Sequence, residues 1–248
     1  MNRSTYEPIN RWTNQPYELN KPFELINQLT NSQLRIPPLG LGGSILNQMN
    51  VVIIKYNAGN IRSVLFALER IGINAVVTDD HDEIKAADRV IFPGVGEASS
   101  AMAYLKEKGL DKLICSLTQP VLGICLGMQL MCAHSEENDT ACLGIFDETV
   151  KRFEGDGFKI PQIGWNNITD LKSALFQGVT PNAYMYFVHS YYVGVCSHSI
   201  AKTDYIQPYS CALQKDNFYA VQFHPEKSGT EGQKILENFI HLPLPVNE

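Results

Sequence analysis

The sequence predicts an α/β fold in which helices cover both faces of a mainly parallel central sheet, with a smaller antiparallel extension. From Val51 onward, short runs of β-branched residues alternate with amphipathic segments, which is typical of strands joined by crossover helices. After about residue 143 the segments become shorter and strand-like, which indicates the extension. The 248 residues are 44% hydrophobic, enough to bury the core of one large domain.

The predicted elements follow the chain in order. The parallel part begins with a strand in VVIIKY, a helix in IRSVLFALERIG, where apolar residues recur at helical spacing, and a strand in NAVVTD. Next come a strand in RVIFPG, two helices in AMAYLKEKGLDKLICSL, and the strand VLGIC leading into the helix-like LGMQLMCAH. The extension takes its strands from TVKRF, YMYFVHSYYVGV, SIAKT, SCALQKD and FYAVQFH, and a final helix covers EGQKILENFIHL.

The first 48 residues differ from the rest. They are rich in Asn, Gln and Pro, lack sustained periodicity and end in PPLGLGGS. We therefore expect residues 1–48 to be an N-terminal extension and residues 49–248 to form the domain. Met49 directly precedes the first strand, so translation starting there is a hypothesis that the intact mass of the native protein would test.

Composition excludes several classes of protein. A net charge of −6 and no run of Lys or Arg argue against nucleic acid as a partner. No apolar stretch suits a signal peptide or a bilayer span, so we expect a cytoplasmic protein that does not bind membranes. The six cysteines form neither a disulfide framework nor a zinc-binding spacing, and we expect no metal or cofactor.

Cys125 is the first candidate for chemistry. It lies between Gly123 and Gly127, where an apolar strand gives way to a helical pattern. A G-x-Cys-x-G sequence at such a point is typical of a nucleophile on a strained strand-to-helix turn, where the helix N-terminus favours the thiolate and the next amide, that of Leu126, faces an oxyanion. Taken alone, a structural cysteine at the end of a sheet is the more common explanation of this pattern, so the interpretation needs partner residues.

His224 and Glu226 are the candidate partners, because they share one short loop after the strand FYAVQ. The imidazole can act as general base and acid, and the carboxylate can fix its tautomer. An isolated histidine more often has a structural role. The carboxylate two residues away and the cysteine elsewhere in the chain favour catalysis.

The loop Pro93-Gly94-Val95-Gly96 follows the strand RVIF and could supply a second oxyanion donor. A plain turn between strand and helix is the alternative. A dinucleotide-binding loop is excluded, because Ser99 occupies the position of its third glycine.

PGVG, GICLGMQ and HPE, in that order, resemble the class I glutamine amidotransferase family. Three further segments, Ala58–Val64 (AGNIRSV), Ile160–Asn166 (IPQIGWN) and Tyr186–Tyr191 (YFVHSY), resemble its glutaminase subunits of imidazole glycerol phosphate synthase. The resemblance runs from about Met49 to Leu242 and implies the flavodoxin-like fold of the family. Lys55 departs from it, because family members often carry an acidic residue there.

The resemblance implies a role for each matching residue. Cys125 would be the nucleophile, His224 the acid and base, and Glu226 the residue that orients the histidine. Val95 and Leu126 would give oxyanion amides, the PGVG loop rearranging first, and Trp165 and Tyr186 would lie near a partner. The positions that match glutamine-binding residues are Gly96, Gln129, Ser190 and Tyr191.

By the same resemblance, the chain hydrolyses glutamine to glutamate and ammonia without a cofactor. It would form a heterodimer with a (β/α)8 barrel cyclase that uses the ammonia to make imidazole glycerol phosphate and aminoimidazole carboxamide ribotide in histidine biosynthesis. A barrel of ~250 residues cannot fit in the same chain, so the cyclase must be a separate polypeptide. The alternatives are a glutaminase of another pathway, a γ-glutamyl hydrolase and a non-catalytic scaffold; the intact triad argues against the last.

Overall fold

Five parallel strands form one side of an eleven-stranded sheet, in the order β2 (Ala75–Thr78), β1 (Val51–Ile54), β3 (Arg89–Gly94), β4 (Val121–Cys125) and β13 (Phe218–Val221), with β2 at the edge. This is the strand order of flavodoxin-like folds. The computed structural model describes residues 49–56 and 60–243, which fall in one compact unit, so the predicted extension 1–48 lies outside the described residues. Within these ranges no helix is long and apolar enough to cross a membrane.

Helices cover both faces of this parallel part, as predicted. Alternate residues of β1 point to opposite faces and so separate two cores. Val51 and Ile53 pack with two helices, and Val52 and Ile54 pack with the other four. The first pair is α1 (Ile61–Arg70) and α6 (Gly229–Ile240); the other four are α2 (His81–Lys85), α3 (Ala98–Glu107), α4 (Leu110–Ser116) and α5 (Leu126–Met131).

The antiparallel extension continues the sheet beyond β13. β12 pairs antiparallel with β13, β11 and β10, and β10 pairs antiparallel with β7. At the far edge β5 runs parallel to β7 and antiparallel to β6. A separate antiparallel ribbon consists of β8 and β9. The bounds are β5 (Cys132–Ser135), β6 (Thr140–Ala141), β7 (Phe146–Arg152), β8 (Gln162–Asn167), β9 (Tyr184–His189), β10 (Tyr191–Val193), β11 (Ser199–Tyr205) and β12 (Gln207–Lys215).

Two of the predicted segments end differently from the sequence-based expectation, and α2, β6 and β8 were not predicted. The helical pattern LGMQLMCAH ends as a helix at Met131, and Cys132 begins a strand instead, because it pairs with Phe146 of β7. The run YMYFVHSYYVGV breaks at Ser190 into β9 and β10, which belong to different sheets.

The parallel register brings the carboxyl ends of three strands together. Gly94 at the end of β3 lies beside Cys125 at the end of β4, and Val221 at the end of β13 lies beside Ile124. The PGVG loop, the cysteine turn and the HPE loop therefore start from adjacent strands at one edge of the sheet. This edge is where open α/β sheets carry their ligands.

Candidate active site

Cys125 is the last residue of β4 and the N-cap of α5, and it makes a sharp turn with a positive φ of 55° and a ψ of −107°. A non-glycine residue adopts such a conformation only when the surrounding structure holds it there. The turn also needs a glycine at position 127, because a Cβ added there would lie 1.9 Å from the backbone oxygen of Phe92. The cysteine of the predicted turn is therefore displayed as a nucleophile-elbow residue would be.

His224 and Glu226 form a buried pair directly after β13. His224 Nδ1 lies 2.7 Å from Glu226 Oε1, and both side chains are fully buried. Because a carboxylate only accepts, Nδ1 carries the proton and Nε2 is left for chemistry. The backbone is held on both sides, since His224 N donates to Tyr186 O at 2.9 Å and Ser228 Oγ donates to His224 O at 2.6 Å.

The charge of His224 is set by its two neighbours. Burial of the ring disfavours the charged form, but attraction to the Cys125 sulfur and to the Glu226 carboxylate outweighs burial and raises the pKa of His224 to about 10. Nε2 is buried and makes no hydrogen bond to the described residues. At neutral pH the site therefore holds an imidazolium next to the sulfur, with a proton available to donate.

A cavity of about 280 Å³ opens beside Cys125. Every residue that the sequence analysis assigned to the oxyanion or to glutamine lines it: Val95, Gly96, Leu126, Gln129, Ser190 and Tyr191. His224 and Glu226 are buried and do not line the cavity. The structure thus gathers the assigned residues from three separate segments of the chain around one space.

The two expected oxyanion donors directly follow the ends of the neighbouring parallel strands β3 and β4. The Leu126 amide is the first of α5 and has no partner within the helix. Val95 directly follows β3, where Gly94 is the register partner of Cys125. Gly96 then turns with φ 117°, a value that favours glycine.

Gln129 presents an acceptor at the cavity. Its Nε2 donates to Tyr191 O at 3.1 Å and to Gln222 Oε1 at 3.0 Å, so both amide protons are used. The carbonyl Oε1 is left to receive a donor from a ligand.

Sequence reasoning missed four residues that the structure places at the site: Asn60, Glu137, His189 and Gln222. Asn60 Nδ2 donates to Glu226 Oε1 and so supports the His–Glu pair. Glu137 lines the cavity, and its carboxylate accepts from Ala98 N at 2.7 Å; burial, with the nearby charge of Glu97, raises the pKa of the Glu137 carboxyl. Glu137 carries no sequence signal, because no motif surrounds it.

His189 lines the same cavity but is not suited to acid–base chemistry. Burial lowers its pKa to about 4, so the ring is neutral near pH 7. Nδ1 lies 2.7 Å from Tyr191 O and Nε2 lies 3.1 Å from the Tyr209 hydroxyl, so both ring nitrogens are engaged. Its role is to hold β9 and β10 together.

The two aromatic residues expected near a partner lie across the β8–β9 ribbon from each other. Trp165 is the register partner of Tyr186, with ring centroids 6.0 Å apart, and Trp165 is exposed. Lys55, which departs from the family pattern, is exposed and lies 3.7 Å from an Asp79 carboxylate oxygen. Within the described residues, Lys55 forms no ion pair with the triad.

Relatives of known sequence share most of this chain. The family model for "Glutamine amidotransferase class-I" matches residues 52–242. A protein of Bacteroides fragilis (strain YCH46) is 61% identical over 196 residues, covering 78% of this chain and all of the relative. A protein of Bacteroides thetaiotaomicron is 58% identical and covers 78% of this chain and all of the relative. A protein of Haemophilus influenzae (strain Rd) is 46% identical and covers 77% of this chain and 97% of the relative. All three relatives are named "Imidazole glycerol phosphate synthase subunit HisH".

Solved structures agree in fold. A glutamine amidotransferase has a TM-score of 0.61 at 18% identity and covers 77% of this chain and 97% of its own. The structure of PurLQS from Thermotoga maritima has a TM-score of 0.59 at 14% identity, over 78% and 98%. With the family match and the identity to the named relatives, these findings establish that the chain belongs to the class I glutamine amidotransferases, in the family of imidazole glycerol phosphate synthase subunits HisH.

Proposed function

We propose that this chain is the glutaminase of imidazole glycerol phosphate synthase in histidine biosynthesis, and that it releases ammonia from glutamine through Cys125, His224 and Glu226. One observation carries the proposal. A strained cysteine faces a cavity at the sheet edge where a buried His–Glu pair also ends, in a chain 61% identical to a protein of that name.

The chemistry begins when the Cys125 thiolate attacks the side-chain carboxamide of glutamine. A C–S bond forms, and the oxyanion is stabilised by the amides of Leu126 and Val95. His224 then donates a proton to the leaving nitrogen as the C–N bond breaks, which releases ammonia and leaves a thioester. Water, deprotonated by His224, attacks the thioester and releases glutamate and the thiolate.

The cavity suits the amino-acid end of glutamine. Glu137 supplies a negative charge, and Gln129 Oε1 supplies a neutral acceptor, for an α-ammonium group. Ser190 and Tyr191 complete the rim. These groups favour a free amino acid, because a peptide nitrogen has no positive charge to offset the Glu137 carboxylate.

The β8–β9 ribbon supports a partner, which we propose to be a (β/α)8 barrel cyclase in a cytoplasmic heterodimer. Ile163, Trp165 and Tyr184 are 64%, 55% and 62% exposed, and strand pairing puts all three on one face. Neighbouring exposed apolar side chains of this size are typical of an interface. Ammonia is a nucleophile only when unprotonated, so delivery to a docked acceptor site protects it from water.

Substitution of the sulfur tests the proposal. Cys125→Ala should reduce glutamate release from glutamine by at least about 10⁴-fold, because no other group can form the thioester. Synthesis from added ammonium salt by the complex with the cyclase should persist. Glutamate release is measured with the cyclase and its nucleotide substrate present.

Cys115→Ala is the matched control, because Cys115 is an exposed cysteine of α4 and should leave both activities unchanged. Glutamine turnover that survives in Cys125→Ala would refute the assignment of the nucleophile.

A further inference from the structure

The Cys125 sulfur has a polar neighbour that the mechanism above does not use. Gln222 Nε2 lies 3.7 Å from Sγ, within range for an N–H···S hydrogen bond. Gln222 is completely buried, directly after β13 and two residues before His224. The Val188 carbonyl oxygen lies 3.9 Å from the same sulfur.

A backbone carbonyl fixes which way the Gln222 amide points. Tyr191 O can only accept, so the Gln129 atom 3.1 Å away from it must be its nitrogen. The same nitrogen lies 3.0 Å from Gln222, which must therefore present its oxygen. The remaining atom of the Gln222 carboxamide, its nitrogen, then faces the Cys125 sulfur. The orientation follows from the contacts themselves and not from the choice of amide rotamer.

These contacts leave the sulfur only the role of acceptor for the Gln222 N–H group. A thiolate accepts an N–H well, whereas a neutral thiol gains less from it, so the contact favours ionisation. Val188 O works in the opposite direction, since it can accept only from a protonated thiol. The buried Gln222 amide offsets that carbonyl from within the core.

We propose that Gln222 is a positioning residue that stabilises the Cys125 thiolate and, through the same amide, turns the Gln129 carbonyl toward the substrate. The inference rests on the proposed role of Cys125 as nucleophile. Gln222 therefore couples two properties of the site that would otherwise be independent: the reactivity of the sulfur and the affinity for glutamine.

Two variants separate these effects from packing. Gln222→Glu keeps the shape and can still accept from Gln129, but it places a carboxylate oxygen against the sulfur. Gln222→Leu removes both polar contacts at similar volume. The rate of Cys125 alkylation by iodoacetamide is followed against pH, with the Cys125 peptide quantified by mass spectrometry, in the full chain without glutamine.

The midpoint of alkylation should shift to higher pH by about one unit or more in Gln222→Glu and by a smaller amount in Gln222→Leu. In the complex with the cyclase, the KM for glutamine should rise more in Gln222→Leu than in Gln222→Glu, because only the glutamate variant still holds Gln129. Gln214→Glu is the control, since Gln214 bonds Ser173 and Tyr219 and not the sulfur.

An unchanged alkylation midpoint in both variants, with thermal unfolding showing that they are folded, would overturn the inference. Alkylation does not require turnover, so a wild-type chain that is inactive on glutamine even with the cyclase and its nucleotide substrate present would defeat the proposed function and leave this measurement valid. A variant that does not fold is replaced by Gln129→Met, which frees the Gln222 amide to turn and should shift the midpoint in the same direction.

Discussion

At the scale of single residues, the charge of His224 gives the site its pH dependence. Its folded-state pKa of about 10 lies above the ordinary value of 6.5. Between about pH 6.5 and pH 10 the folded protein therefore holds a proton on His224 that the unfolded chain does not. The stability that this proton contributes is complete below about pH 6.5 and is lost as the pH rises through 10.

We therefore expect Glu226→Gln, which removes the facing carboxylate, to lower the pKa of His224 and to flatten this loss. The melting temperature of the wild type should fall more steeply between about pH 7 and pH 10 than that of the variant. Thermal unfolding across this range measures the two slopes. Glu69→Gln, at an exposed position of α1, should keep the wild-type slope; an equal slope in Glu226→Gln would contradict the assignment.

Which site residues could be predicted from sequence depends on how local their signals are. Cys125, His224 and Glu226 lie in short motifs whose chemistry is recognisable in isolation. Asn60 lies in the segment AGNIRSV and Gln222 directly precedes the His–Glu loop, but their roles depend on contacts with residues 166 and 97 positions away, which no local pattern reveals. Such residues become visible only when the fold brings the segments together.

At the scale of elements, Arg89 ties the start of β3 to the end of α6. Its side chain is buried, and its nitrogens donate to the carbonyls of Asp88, Phe239 and Leu242. The last carbonyls of a helix have no hydrogen-bond partner within the helix, and a cation near them interacts favourably with the negative end of the helix dipole.

Arg89→Met should lower the free energy of unfolding by about 2–3 kcal/mol, because the Leu242 carbonyl loses its Arg89 donor and the Phe239 carbonyl keeps only the Leu242 amide. The effect is measured by urea denaturation. Arg70→Met is the control, since Arg70 is exposed in the last turn of α1 and should change stability by less than about 0.5 kcal/mol. Equal losses in the two variants would show that Arg89 does not stabilise α6.

Element ends were harder to predict than element types. The helical spacing of α1 and the apolar runs of β1, β3 and β4 are strong local signals, and the structure confirms them. The end of α5 at Met131 is decided by pairing between Cys132 and Phe146, and the break at Ser190 is decided by two different sheets. Both are long-range effects that override the local pattern.

At the scale of the whole molecule, the candidate site lies at the carboxyl ends of the neighbouring parallel strands β3, β4 and β13. The separate β8–β9 ribbon carries the surface on which we expect the partner to bind. We expect Trp165→Ala to weaken binding of the cyclase by at least about tenfold, because a large exposed aromatic at an interface centre often carries 2 kcal/mol or more. Binding is measured by isothermal titration calorimetry.

Phe66→Ala is a control matched for exposure, since Phe66 of α1 is 58% exposed and lies outside the ribbon. Equal affinities of wild type and Trp165→Ala would place the partner elsewhere. Glutamine turnover that does not respond to the cyclase would favour a stand-alone hydrolase.

We propose that residues 49–248 fold and act without the first 48. The family match starts at residue 52, and 196 residues align with the whole of the Bacteroides fragilis relative. A chain starting at Met49 should have a melting temperature within about 2 °C of that of the full chain. We expect loss of the extension to change the free energy of unfolding by well under 1 kcal/mol, which shifts the melting temperature of a domain of this size by about 2 °C or less. Differential scanning calorimetry of both chains tests this, and a large drop would assign the extension a structural role.

The passage of α5 over β3 limits how this protein could be re-engineered. Side chains added at Gly94, Gly123 or Gly127 would overlap atoms of neighbouring residues, and at Gly127 the atom is a backbone oxygen. Mutant libraries aimed at other amide substrates should therefore leave these three codons fixed and vary Glu137 and Ser190 on the cavity wall. Diversity at Gly127 in particular would mostly yield unfolded clones, whatever substrate the screen used, because the overlap there is with the backbone of β3.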